Sequence, residues 1–142
     1  MGKPELLLPA GNAEAFHAAI EGGADAIFFG LKQFNARGRA FNFSIPQLKT
    51  MLDFAHSKGV RLYLTLNIVV KNSELRDLIN LLHQISDLPV DGLIIQDWGV
   101  YRILKTAFPN IPIHASTQMG IHNSIGVDHA GDMGLKLSLI HI

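Results

Sequence analysis

A parallel α/β fold, a partial (β/α) barrel of about five βα units, is what this sequence predicts, and three observations carry it. Short apolar runs that read as buried strands alternate strictly with segments whose apolar residues recur at helical spacing. A glycine or proline stands at nearly every helix-to-strand turn. The units repeat at roughly thirty residues, the size of a βαβ block, and parallel strands need such crossover helices.

"ELLLPAG", Glu5 to Gly11, is an apolar run stopped by Pro and Gly, and so a first strand. Asn12 then caps a helix through "AEAFHAAIEGG", where Phe16, Ala19 and Ile20 share a face and Gly22 ends it. "AIFFG" is the second strand. After a long loop, Ser44 as cap and Pro46 in the first turn open a helix marked by Leu48, Met51, Leu52 and Ala55, which Gly59 closes. "RLYLTLN" is the third strand. Ser73 is expected to start the next helix, with Leu75, Leu78, Ile79, Leu82 and Ile85 as its buried stripe. "GLIIQD" makes the fourth strand, Gly99 to Phe108 a short helix, "IPIHAST" the fifth strand, and Ser124 to Gly134 a last helix.

Two architectures fit this order, an open doubly wound sheet or part of a barrel. The dinucleotide fingerprint of the former is missing, because "PAGNAEA" offers one glycine where G-x-G-x-x-G needs three. The placing of polar residues favours the barrel, whose chemistry gathers at the C-terminal ends of the strands. The third strand sets Tyr63, Thr65 and Asn67 against Leu62, Leu64 and Leu66. The fifth sets His114, Ser116 and Gln118 against Ile111, Ile113 and Ala115. Such a polar face suits the lining of a barrel mouth. An eight-unit barrel needs about 250 residues, so 142 residues make only part of one, with the first and fifth strands as open edges. The last six residues, "LSLIHI", coincide with a translated frame of a transposon end used in sequencing libraries. On that reading residues 1–136 form the N-terminal part of a barrel domain and 137–142 a non-native tail.

Composition narrows the function classes. Formal charge is zero, so no global field draws nucleic acid or an anionic membrane. The absence of cysteine excludes disulfides, thiolate metal sites and iron–sulfur ligation by these residues. No apolar run is long enough for a membrane span, and the N-terminus lacks a signal-peptide pattern, so a cytoplasmic protein is expected. No G-x-S-x-G, H-E-x-x-H or helical histidine pair is present, and no metal site is expected.

In order and at their spacing, "ELLLPAGN", "GGADAIFFG", "FNARGRAFNFS", "LYLTLN", "DGLIIQD" and "IPIHASTQMGIHNS" resemble the N-terminal domain of the peptidase U32 family, also called collagenase-like proteases. The resemblance runs from Glu5 to about Lys136. It implies a TIM-like barrel and, despite the family's name, a parent protein resembling systems that hydroxylate a base of tRNA or rRNA or an aromatic ubiquinone precursor. It also implies, for several members, an iron–sulfur cluster on cysteines beyond the region covered here, with none held by these residues. Two alternatives stay open: a U32-type peptidase, and a non-catalytic barrel module that binds RNA or an anion. On either enzymatic reading the 142 residues alone are expected to be inactive.

The resemblance singles out Asn35, Arg37, Asn67, Asp97, His114, Ser116 and Gln118. The residues also speak for themselves. From Leu31 to Leu52 there is no acid, while Lys32, Arg37, Arg39 and Lys49 are basic and Phe34, Phe41 and Phe43 lie among them. Such a loop can hold a phosphate and stack a base, or be a solvated loop whose phenylalanines pack inward. Lys32, Asn35, Arg37 and Ser116 are the expected substrate-binding residues; His114, Gln118, Asn67 and Asp97 are the expected catalytic ones. His114 can serve as acid or base near neutrality, or as a hydrogen-bonded structural residue. Asp97 can act on substrate or pair with Arg37, and periodicity does not say whether it or Gln96 faces inward.

Overall fold

A computed structural model describes residues 3–34 and 43–137. Asn35, Arg37, Arg39 and Phe41 of the basic loop and the end of the tail lie outside the described residues. Among the described residues six strands, β1 (Leu7–Pro9), β2 (Ala26–Gly30), β3 (Arg61–Leu66), β4 (Gly92–Ile95), β5 (Ile113–Ala115) and β6 (Lys136–Leu137), form one sheet in sequential order. Every neighbouring pair is parallel. A doubly wound sheet would break that order at a switch point. Unbroken order with crossover helices on one side is the arrangement of a (β/α) barrel, here partial, and the five-unit expectation holds.

Among the described residues five helices connect the strands: α1 (Ala13–Glu21), α2 (Ile45–Ser57), α3 (Leu75–Ser86), α4 (Trp98–Ala107) and α5 (Ser124–Asp132). The Asn12 side chain accepts from the Ala15 N–H at 2.7 Å. Ser44 caps α2 while the Gln47 side chain accepts from the Ser44 N–H at 2.8 Å, a reciprocal capping box. Gly59 follows α2 at φ +73°, a conformation costly for a side chain.

Three expectations need correction. Ser73 does not start α3: Asn72–Glu74 form a 3-10 turn and the helix opens at Leu75. The Glu74 carboxylate accepts from the Lys71 N–H at 2.8 Å, which fixes that turn without a serine cap. The buried stripe of α3 is Leu78, Leu81, Leu82 and Ile85, whereas Ile79 is exposed. Spacing of three, four and seven residues picks one face, and Ile79 falls beside it. Finally, β5 is not an edge, because Lys136 and Leu137 pair with His114 and Ala115; the edges are β1 and β6. Leu137 is the first residue of the segment set aside on sequence grounds.

The sheet has two unlike faces. Ile27, Leu62, Leu64, Leu66, Leu93 and Ile95 are fully buried against the helices. Each contributes roughly 1.5–3 kcal/mol by burial. The opposite face, the lumen, carries a smaller cluster of Ala26, Tyr63 and Ile94 with Leu7 and Phe28 packed on it. Register places Phe28, Tyr63 and Gly92 in one row across the lumen, and Gly30, Thr65, Ile94, His114 and Lys136 in the next.

Candidate functional site

Parallel strands deliver their C-terminal ends to one side, and five of the expected residues arrive there. Lys32 is exposed just beyond β2, and Asn67 is half-buried just beyond β3. Asp97 follows β4, while Ser116 and Gln118 follow β5. Asn35 and Arg37, expected beside them, lie outside the described residues. Phe34 leads into that loop with φ +59°, an uncommon backbone state for a bulky residue.

The fifth strand does not carry its polar face as far as the sequence implies. It ends at Ala115, and Thr117–Met119 form a 3-10 turn that Ser116 caps by accepting from the Gln118 N–H at 3.3 Å. Gly120 closes the turn at φ +73°. Ser116 is buried and Gln118 is exposed on the turn.

Asp97 joins a loop to a helix. One carboxylate oxygen accepts from the N–H groups of Gly99 and Val100 at 2.6 and 3.1 Å, capping α4. The other accepts from the Val70 N–H at 3.0 Å, tying the loop after β3 to that helix. Burial alone would raise its pKa; the Val70, Val100 and Gly99 N–H groups together hold it below the ordinary carboxylate value. Alternation from Ile94 gives the lumen side to Gln96 rather than Asp97.

His114 lies deeper than the mouth. Only 8% of it is exposed, and its ring sits 4.5 Å from the Tyr63 ring. A Cβ on Gly92 would come within 3.1 Å of that imidazole, so the glycine makes room for it. Both neighbours belong to the row beneath, and the ring thus reaches back toward the N-terminal end of the lumen. Nδ1 is buried with no hydrogen-bond partner among the described residues. Burial first, then the positive charges of Lys136 and Arg61, lower its pKa to about 4, so the imidazole is neutral near pH 7.

Sequence reading missed this N-terminal end of the lumen. A 410 Å³ cavity there is bordered by Glu5, Arg61, Tyr63, Asp91, His114 and Lys136. Arg61 pairs with Glu5, and Asp91 accepts from the Leu62 N–H at 2.7 Å while contacting His56 Nε2 at 2.8 Å. Burial, then the Glu5 charge, push the Tyr63 phenol up. The available signal was parity: Arg61, Tyr63 and Thr65 alternate onto the face that His114 shares.

The residues present do not fit an iron–sulfur cluster, because the chain has no cysteine. Among the described residues no group of three histidines, cysteines or acids could hold a metal ion. Nor does a hydrogen bond join a serine or threonine hydroxyl to an imidazole ring or a carboxylate among them; the hydroxyl of Ser116 serves the turn instead. What the mouth offers is amides, a lysine and two loops tied in place, groups with the chemistry to hydrogen-bond a planar polar group. Among the described residues no helix is long and apolar enough to cross a membrane.

The sequence model of Peptidase family U32 matches residues 11–138. The tRNA hydroxylation protein P1 of Bacillus subtilis is 35% identical over 133 residues, covering 94% of this chain and 32% of that protein. The 23S rRNA 5-hydroxycytidine C2501 synthase of Escherichia coli is 37% identical over 130 residues, covering 92% of this chain and 19% of that protein. The chain thus spans a third or less of these relatives' length. The solved structure of the U32 peptidase Mk0906 superposes with a TM-score of 0.67 at 13% identity, over 95% of this chain and 58% of that one, which speaks for the fold.

Proposed function

The chain belongs to Peptidase family U32, and from that premise we propose that the protein carrying it hydroxylates a base of tRNA or rRNA, this segment forming part of the barrel that receives the base. The observation that carries the reading is the near full-length match of this segment to proteins named for tRNA hydroxylation and for 5-hydroxycytidine synthesis in 23S rRNA. The mouth supports it. Asn67 and Gln118 supply amide donors and acceptors for the edge of a planar base, Lys32 a charge for a phosphate, and Ser116 and Asp97 hold the turn and loop that position them. Asn35 and Arg37 complete the substrate side in this proposal. A cytoplasmic setting, where these RNAs are found, suits it. Oxidising chemistry would come from a group held by residues outside this chain, since an iron–sulfur cluster finds no ligands within it.

The family's name supplies the competing reading, peptide cleavage. It would need its nucleophile and base from elsewhere, because no serine or threonine hydroxyl among the described residues is hydrogen-bonded to an imidazole or a carboxylate. Deleting the gene and comparing modified nucleosides by mass spectrometry separates the two. Loss of a hydroxylated nucleoside supports hydroxylation; an unchanged nucleoside profile, with peptide cleavage by the purified full-length protein, overturns it.

A further inference from the structure

Trp98, the only tryptophan in the 142 residues, is 49% exposed at the first residue of α4, immediately beyond the C-terminal end of β4. A tryptophan left half in water forgoes apolar burial that few other side chains could match. Its position is nonetheless fixed. The ring packs edge-on against Tyr101 at 5.8 Å, and the Tyr101 hydroxyl donates to the Met133 carbonyl at 2.8 Å. Beneath it, Asp97 caps the helix and holds Val70. That one carboxylate brings the exposed Val69 and Lys71 to the same rim. Arg102 lies one turn along α4 from Trp98, on the same helix face, and is exposed. Neither Lys71 nor Arg102 has an ion-pair partner among the described residues.

From this arrangement we infer that Trp98 is a stacking surface for an unpaired RNA base flanking the one to be modified, with Lys71 and Arg102 on the adjoining phosphates. The inference rests on the RNA-base reading above and adds a binding residue to it. An aromatic ring beside cations on the rim of a reaction mouth is how single-stranded nucleic acid is held without sequence readout. A rigid ring suits the task, since little side-chain freedom is lost on binding.

The test uses the full-length protein and a fluorescently labelled single-stranded RNA, with wild type, Trp98→Ala and Trp98→Phe compared by anisotropy and by thermal unfolding. Loss of one stacked base should weaken binding by about ten-fold in Trp98→Ala. Trp98→Phe, which keeps a ring, should recover most of it, and both variants should unfold at the wild-type temperature. Wild-type affinity in Trp98→Ala overturns the inference alone. A lowered unfolding temperature in Trp98→Ala that accounts for its weaker binding also overturns it, making Trp98 a packing residue of a domain interface. No RNA binding by wild type, with an unchanged nucleoside profile on gene deletion, overturns the RNA reading and the inference together.

Discussion

Replacing His114 by glutamine should change how stability depends on pH. The imidazole is 8% exposed, and burial, Lys136 and Arg61 lower its pKa from 6.5 to about 4. In the unfolded chain it titrates near its ordinary value. Below pH 6.5 the unfolded chain therefore binds a proton that the native state refuses. Stability falls as pH drops from 6.5 toward 4 and levels off beneath. At about 1.4 kcal/mol per pH unit the full loss is about 3 kcal/mol. Glutamine keeps a polar side chain of related size and removes the titration. Glu5, Asp91 and Tyr63 border the same cavity in both proteins and cancel in the difference. Denaturant unfolding of the full-length protein at pH 7.5 and 4.5, read by amide exchange of β4 and β5, measures it. Wild type should lose about 2–3 kcal/mol more than His114→Gln across that interval. An equal loss in both would refute the buried neutral imidazole.

Other outcomes follow from single contacts. Gly92→Ala would place a Cβ 3.1 Å from the His114 ring and 3.2 Å from the Pro112 carbonyl; calorimetry should show destabilisation by about 1–3 kcal/mol, and a neutral result would mean the ring moves freely. Asp97→Ala removes a helix cap and the Val70 tie, and should cost about 1–2 kcal/mol. Because the fold depresses that carboxyl, the contribution is present above its unfolded pKa and is lost as pH falls through the native one, so the wild-type advantage should shrink in acid. Ile113→Ala truncates a core residue 4% exposed and should cost about 2–5 kcal/mol, whereas Gln118→Ala, on an exposed turn, should leave stability unchanged and lower activity. The 142 residues alone present β1 and β6 as open parallel edges and should aggregate or oligomerise; a sharp monomeric unfolding transition would contradict this.

Much of this architecture was legible because each element carries its own local signal. Asn12 and Ser44 cap the helices they precede, and the apolar runs from Ala26, Arg61 and Gly92 are all strands. Strict alternation then leaves few topologies. Local signals failed where a competing hydrogen bond decides the outcome. Ser73 was displaced as a cap by the Glu74 carboxylate on Lys71, and the fifth strand stopped early because Ser116 bonds to its own turn. The site was legible as a side of the sheet and not as an arrangement. Alternation gives His114 to the lumen, yet only Gly92 and Tyr63 say that its ring turns away from the mouth. Periodicity likewise left Asp97 undecided, since its role is set by three N–H groups, two on α4 and one on the loop after β3. Trp98 carried no motif at all; exposure alone marks it.

In the proposed function this barrel mouth positions an RNA base for hydroxylation. The most direct test of that role is the hydroxylated-nucleoside content of tRNA and rRNA in a deletion strain complemented with wild type, Asn67→Ala or Gln118→Ala. Wild type should restore the missing nucleoside, and both variants should fail to do so while the proteins accumulate normally and unfold at the wild-type temperature. Full restoration by both variants, or a nucleoside profile that never depended on the gene, would contradict it.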